Sequence, residues 1–341
     1  MKRIAFCADG TWDGKSNNTN VFKLYNAIQV SAEQLPFYDS GVGADGNPIE
    51  KLLGGAFGTG LFQKVKDGYT RIAHAYESGD QVFIFGFSRG AYTARSIAGM
   101  IANCGLPTKN FDDALVETAF QAYRNKDQRA SLLSGLGKYG MENAEITMVG
   151  VWDTVGSLSI PSVFGAVDPV LYGFLDTSLN PRVKNAYHAL AIDERRAEFP
   201  PTLWTSQPAP GQTMEQVWFC GVHCDVGGGY KPGDADTNTT LSDITLGWMM
   251  SKAQALGLQF APAALAQYTM PLKGSFAFDQ LHDSWNPLWG VPVQRKIAAN
   301  SSLANSVVMR CQNQASGYKP SNLTLQNGIP IPGYSSVAVV A

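Results

Sequence analysis

The sequence predicts an α/β fold, a mostly parallel sheet with helices on both faces. Two observations carry that expectation. Short apolar runs alternate along the chain with segments of helical periodicity, the pattern of successive strand–helix units. The runs are almost continuously apolar rather than alternating. Strands buried on both faces have this character, and parallel sheets covered by helices are built from them.

In chain order, the first run is 3–8 (RIAFCA), closed by Asp9-Gly10-Thr11. Four more follow at 81–85 (QVFIF), 145–151 (EITMVGV), 185–192 and 217–221 (VWFCG). Helical patterns occupy 21–34, 62–77, 89–104, 112–125 and 243–256. No internal repeat or low-complexity linker divides the chain. Residues 1–341 are therefore expected to form one domain, irregular from about 290 to 341.

The 341 residues are ample for a large core. Charged residues make up 16%, against about 25% in an average globular chain, which excludes a disordered protein. The formal charge of −2 lacks the positive excess of a nucleic-acid binder. No apolar run approaches the ~20 residues of a membrane span. Asp9 ends the first apolar stretch too early for a secretory leader, which needs about 7–15 apolar residues. Five cysteines, an odd number without framework spacing, suit a reducing compartment. The expected location is the cytoplasm as synthesised, with export only by a route that needs no signal peptide.

Ligands of such sheets bind beyond the carboxyl ends of the strands. The residues there are Asp9, Ser88, Asp153, Asp193 and His223, one after each run. Gly86-Phe87-Ser88-Arg89-Gly90 fits G-x-S-x-G, with QVFIF before it and a helical segment after it. This is the context of a nucleophile elbow, where a serine is exposed on a strained strand-to-helix turn. The N–H of Arg89 then lies at a helix N-terminus and can hold an oxyanion. An N-capping serine is the plainer reading.

A serine needs a base. His74 lies in a helical pattern and His188 in an apolar run, so both read as structural. His223 follows the last clear run, in GVHCDVGGGY (221–230), and completes the order Ser…Asp…His of α/β-hydrolases. His282 is its rival. Asp153 and Asp193 both follow runs and are nearly tied as the acid that orients the imidazole. Asp193 has arginine neighbours that would pair with it. Asp225 is a capping candidate for the glycine loop. Asp9-Gly10-Thr11 has the look of an aspartyl-phosphatase loop, but Cys7 stands where the further aspartate is needed. Gly10 and Thr11 are preferred as suppliers of the second oxyanion N–H.

These stretches together resemble one family: CADGTW (7–12), TNV (19–21), DSGVG (39–43), GGAFGTGL (54–61), GDQVFIFGFSRGAYTAR (79–95), VWDTVGS (151–157), HALAIDERR (188–196) and GVHCDVGGGY (221–230), with SGYKPSNL (316–323) beyond. The collinear chain, to about residue 290, is similar to the α/β-hydrolase domain of the first-class type VI secretion lipase effectors and their uncharacterised relatives. The resemblance implies a serine hydrolase acting on ester bonds, with phospholipase activity in the effectors. It implies Ser88 as nucleophile, Asp153 as acid, favoured over Asp193, and His223 as base. An immunity protein or a secretion apparatus is an implied partner, beside a lipid or ester substrate and transient contact with a membrane surface. Soluble-ester, thioester or amide hydrolysis and a non-enzymatic binding module are the competing readings.

A lid or acyl-binding insertion is expected around 157–185, where apolar residues lack clean periodicity, and glycine-rich 54–62 is a candidate second wall. That stretch lacks the Lys-Ser/Thr ending of a phosphate loop. Cys220 and Cys224, with one nearby histidine, make a poor zinc site. No cofactor is expected. The oxygen-rich runs 9–20 and 225–243 are the only candidates for Ca²⁺ or Mg²⁺.

Overall fold

The computed structural model describes residues 1–10, 18–41, 56–156, 177–230, 241–268, 270–330 and 333–341, with the side chains of 56–59 excepted. The described chain is organised by one eight-stranded sheet. Its strands are β1 Arg3–Ala8, β2 Gln34–Asp39, β3 Gln81–Phe87, β4 Met148–Trp152, β5 Asn185–Ala191, β6 Thr213–Phe219, β7 Ser302–Ala304 and β8 Ser335–Val337. The order is β8-β7-β6-β5-β4-β3-β1-β2, and every pairing is parallel. All carboxyl ends therefore face one edge.

Alternate residues of each strand feed two cores, one per face. Ile4, Phe6, Val82, Ile84, Val149 and Val151 pack beneath α2 (Ala56–Ala75), α3 (Ser88–Cys104) and α4 (Asp113–Arg124). Ala5, Cys7, Phe83, Phe85, Met148 and Trp152 pack beneath α1 (Asn20–Ala27) and α6 (Leu241–Ala255). Burial on both faces is why the central runs are continuously apolar. No helix among the described residues is long and apolar enough to cross a membrane.

Three strands of this sheet were not anticipated. The helix expected over 21–34 stops at Ala27, because Ile28 turns extended at ψ 128°. Its last residue, Gln34, instead opens β2, and its buried amide donates to the carbonyls of Gln29 and Gln259. Pro36 is tolerated because β2 is an edge strand. At the opposite edge, β7 and β8 are three residues each. The segment 290–341, expected to be irregular, thus supplies two strands of the sheet, a separate antiparallel pair (Leu325–Gln326 with Ile329–Pro330) and α7 (Asn305–Gln312). Such short strands carry no readable period. Of the expected insertion at 157–185, residues 157–176 lie outside the described residues, as do 54–55 of the glycine-rich wall.

Candidate active site

β3 runs directly into α3, and Ser88 is the joint. Its φ of 57° lies in the left-handed region that a residue with a Cβ adopts only under constraint. The constraint is close packing. A Cβ on Gly86 would come within 2.4 Å of the Gly90 carbonyl oxygen, and one on Gly90 within 2.3 Å of the Ala8 and Asp9 carbonyl oxygens. The two glycines of the motif therefore let α3 leave the sheet at once and press against the end of β1. Arg89 is the second residue of α3, where the N-terminal amides have no intrahelical acceptor.

The second half of the site comes from β4 and β6. Asp153 follows β4 with φ 39°, another left-handed non-glycine, and is fully buried. Its N–H donates to the Ala189 carbonyl at 2.8 Å. His223 opens the short helix α5 (His223–Gly227) and donates from Nδ1 to Asp153 Oδ2 at 2.6 Å. The ring lies 4.5 Å from the Phe87 ring, centroid to centroid, next in sequence to Ser88. Gly227, four residues on, has the Phe87 ring 1.9 Å from where a Cβ would stand. The glycine-rich loop is thus moulded onto the residue that precedes the serine, and His223 is carried to the elbow by that packing.

Arg295 holds Asp153 from the other side. Nη1 donates to Oδ1 at 2.6 Å and Nη2 to Oδ2 at 2.8 Å, a bidentate pair in which both residues are buried. The same nitrogens donate to the carbonyls of Ala191 and Phe199, each at 2.8 Å. Burial alone would raise the Asp153 carboxyl. The Arg295 charge and the bonds from His223 and Arg295 outweigh it and hold the group far below the usual carboxylate range. Glu194 steadies His223 as well: its Oε2 accepts from the His223 N–H at 3.2 Å and from Arg196 Nη2 at 2.8 Å. Burial opposes its ionisation, but Arg196 holds it below its ordinary value.

The other candidates go elsewhere. Asp193 does not pair with its neighbouring arginines, one of which is taken by Glu194 and the other, Arg195, by Asp283. It accepts from the Gly221 N–H at 2.6 Å and the Tyr318 hydroxyl at 2.8 Å, and burial pushes it up to about 6. His282 makes its own pair, Nδ1 to Asp225 Oδ1 at 2.6 Å, while Asp225 Oδ2 accepts from the Val222 N–H at 3.0 Å. Asp225 therefore caps the turn that carries His223. Asp9 is buried and accepts from Thr19 Oγ1 and the Tyr38 hydroxyl, each at 2.7 Å, and from the Gly10 N–H at 2.9 Å. Thr11 lies outside the described residues, and so do 12–17 and 231–240 of the runs considered for a divalent cation. Among the described residues no group of three or more His, Cys, Asp or Glu comes together to hold a metal ion. His188 is a core residue: its Nε2 accepts from the Thr154 N–H at 3.1 Å, and burial pushes it down to about 3. His74 is exposed and stacks on Phe111.

Sequence reasoning missed Arg295 and Phe199. No motif marks either, and their contacts to Asp153 and His223 cross 142 and 24 residues of chain.

A parallel α/β sheet that presents a strained strand–serine–helix turn and a buried His–Asp pair on one edge defines the α/β-hydrolase class. Residues 2–252 match the family described as the type VI secretion system phospholipase effector Tle1-like catalytic domain, and the chain belongs to that family. It is 30% identical to the uncharacterized protein YEL023C of Saccharomyces cerevisiae over 61% of this chain and 33% of that protein. An uncharacterized protein from Pseudomonas aeruginosa, 18% identical, shares the fold with a TM-score of 0.51 over 78% of this chain and 48% of that one. The Tle1 effector bound to the VgrG spike of the type VI secretion system gives a TM-score of 0.39 at 18% identity, over 69% of this chain and 52% of that one. The chain thus spans about a third of the length of the curated relative and about half of each solved chain.

Proposed function

We propose that the protein is a serine hydrolase that cleaves the carboxylic esters of phospholipids through Ser88, His223 and Asp153. One observation carries the proposal: the 2.6 Å bond from His223 Nδ1 to buried Asp153, beside the strained turn at Ser88. With Nδ1–H committed to Asp153, the neutral ring presents Nε2 as the acceptor for the serine proton. Ser88 Oγ attacks the ester carbonyl, and the proton passes to His223. The N–H of Arg89 holds the oxyanion, aided by the positive end of α3. Gly10 is the second proposed donor. Its N–H rests on Asp9, so this service requires that bond to open. Collapse of the intermediate expels the alcohol, which takes the proton from His223. Water, deprotonated by the same imidazole, then releases the acyl group from Ser88. No cofactor enters the scheme.

Phospholipid is the substrate class that the family description supports, and delivery by a secretion apparatus, with an immunity protein as counterpart, belongs to the same proposal. The test is product analysis after mixing with phospholipid vesicles, beside Ser88→Ala. Fatty acid and lysophospholipid from the wild type alone are expected. Equal release by both proteins would refute the role of Ser88. Inertness of the wild type toward vesicles and toward a fluorophosphonate probe would refute the enzyme.

A further inference from the structure

The described residues leave few large apolar side chains exposed, and three of them fall within six positions: Leu288 at 95%, Val291 at 80% and Val293 at 52%. They belong to one loop, SWNPLWGVPV (284–293), which also carries Trp285 and Trp289. Isolated exposed apolar residues mean little, but a contiguous group marks a contact surface.

The loop is prefolded. The Asn286 side chain accepts from the Leu288 N–H at 3.0 Å, Trp285 Nε1 donates to the Gly290 carbonyl at 3.2 Å, and the Val293 N–H donates to the Arg195 carbonyl at 2.8 Å. Arg196 lies 3.7 Å from the centroid of the Phe199 ring and 5.2 Å from that of Trp289, and fixes the inner tryptophan against the body of the protein. The exposure of Leu288 and Val291 is therefore built in.

Its position ties it to the site. Phe199 meets Trp289 edge-on at 5.9 Å and His223 edge-on at 5.0 Å, so one ring separates the loop from the base. The chemistry of the loop favours lipid over protein as the occupant. Aliphatic tips flanked by half-buried tryptophans match the boundary between acyl chains and head groups, where indole is at home. No acid lies between Ser284 and Asn300, the adjoining exposed Asp283 is paired with Arg195, and exposed Lys296 adds a positive charge, so the loop carries no unpaired acid toward a phosphate surface.

From this placement we infer that the 284–293 loop docks the protein on a phospholipid bilayer, with Leu288 and Val291 inserted among the head groups and the mouth beside His223 turned to the lipid. The inference rests on the function proposed above and goes further by naming the surface that reaches the substrate.

The test separates docking from catalysis. Ser88→Ala protein, with and without Leu288→Asp and Val291→Asp, is sedimented with vesicles of phosphatidylethanolamine and phosphatidylglycerol. The parent is expected to bind. Burying an exposed aliphatic side chain changes partition by roughly tenfold or more, so the doubly charged loop should lose nearly all binding. In the Ser88 background the same two changes should leave turnover of a soluble short-chain ester unchanged and abolish release of fatty acid from vesicles. Equal vesicle binding with and without the aspartates would overturn the inference, as would failure of the parent to bind. Loss of soluble-ester turnover along with binding would overturn it too, by showing that the loop acts inside the site. A wild-type dimer that the aspartates dissolve would assign the face to a second copy instead. Vesicle hydrolysis that survives Ser88→Ala would refute the proposed chemistry while leaving the docking result standing.

Discussion

Replacing Arg295 by methionine tests the electrostatic logic of the site most directly. The change removes two hydrogen bonds to Asp153 and one each to the carbonyls of Ala191 and Phe199, with little change in volume. Asp153 is left fully buried with the His223 Nδ1–H and the Ala191 N–H as donors. Breaking a buried pair from one side costs about 3–5 kcal/mol. At about 2 °C per kcal/mol for a chain of this size, the melting temperature should fall by roughly 6–10 °C. The effect depends on pH. In the wild type, Asp153 is held below its unfolded value of about 3.9, so its stabilisation is present above that pH and lost as pH falls through the folded value. In the variant, burial meets less opposition and raises the carboxyl, which then disfavours folding above pH ~4. The difference in unfolding free energy between the two proteins should be largest at neutral pH and should narrow as pH falls through the variant's raised carboxyl value, so that it is smaller at pH 4 than at pH 7. Guanidinium melts at pH 7 and pH 4, followed by tryptophan fluorescence, measure it. A difference under about 1 kcal/mol, or one that is equal at both pH values, would show that Arg295 does not counter the Asp153 charge.

Three further outcomes are expected. His188 is buried neutral at about 3, so its contribution is present above the unfolded value of about 6.5 and is lost as pH falls toward 3. At about 1.4 kcal/mol per unit this is at most ~5 kcal/mol, and His188→Gln should flatten the stability–pH curve between 6.5 and 3; an unchanged slope contradicts the assignment. Gly227→Ala places a methyl on the Phe87 ring and should shift α5 with His223; a displacement of ~1 Å predicts about 10²-fold loss of kcat on a soluble ester, and wild-type turnover would count against that packing. His282→Leu removes the side-chain bond to Asp225 but none of the proposed chemistry, so it should retain more than about a tenth of the activity while His223→Leu removes almost all of it; the reverse ranking would make His282 the base.

Much of this protein could be read from sequence because its signals are local. The runs that became β1, β3, β4, β5 and β6 are apolar because both faces of the sheet are covered, a property each strand displays by itself. The elbow is equally local: Gly86 and Gly90 are spaced by the close approach of α3 to its own strand and to β1. The placement of Asp9, Ser88, Asp153 and His223 follows from parallel strands ending at one edge.

What the sequence left open depended on contacts between distant segments. Asp153 and Asp193 both follow buried strands, and nothing adjacent to either distinguishes them. Tertiary packing places Asp153 on His223 and Arg295, and turns Asp193 toward Gly221 and Tyr318. Strands β7 and β8 are too short to show a period and exist because an edge of the sheet is there to pair with. Arg295 is indistinguishable in sequence from any surface arginine. Only the fold closes the 142 residues between it and Asp153, and only burial makes that charge decisive, because water no longer screens the pair. Local composition determined the strands, the elbow and the order of the site; desolvated long-range contact decided which groups meet there.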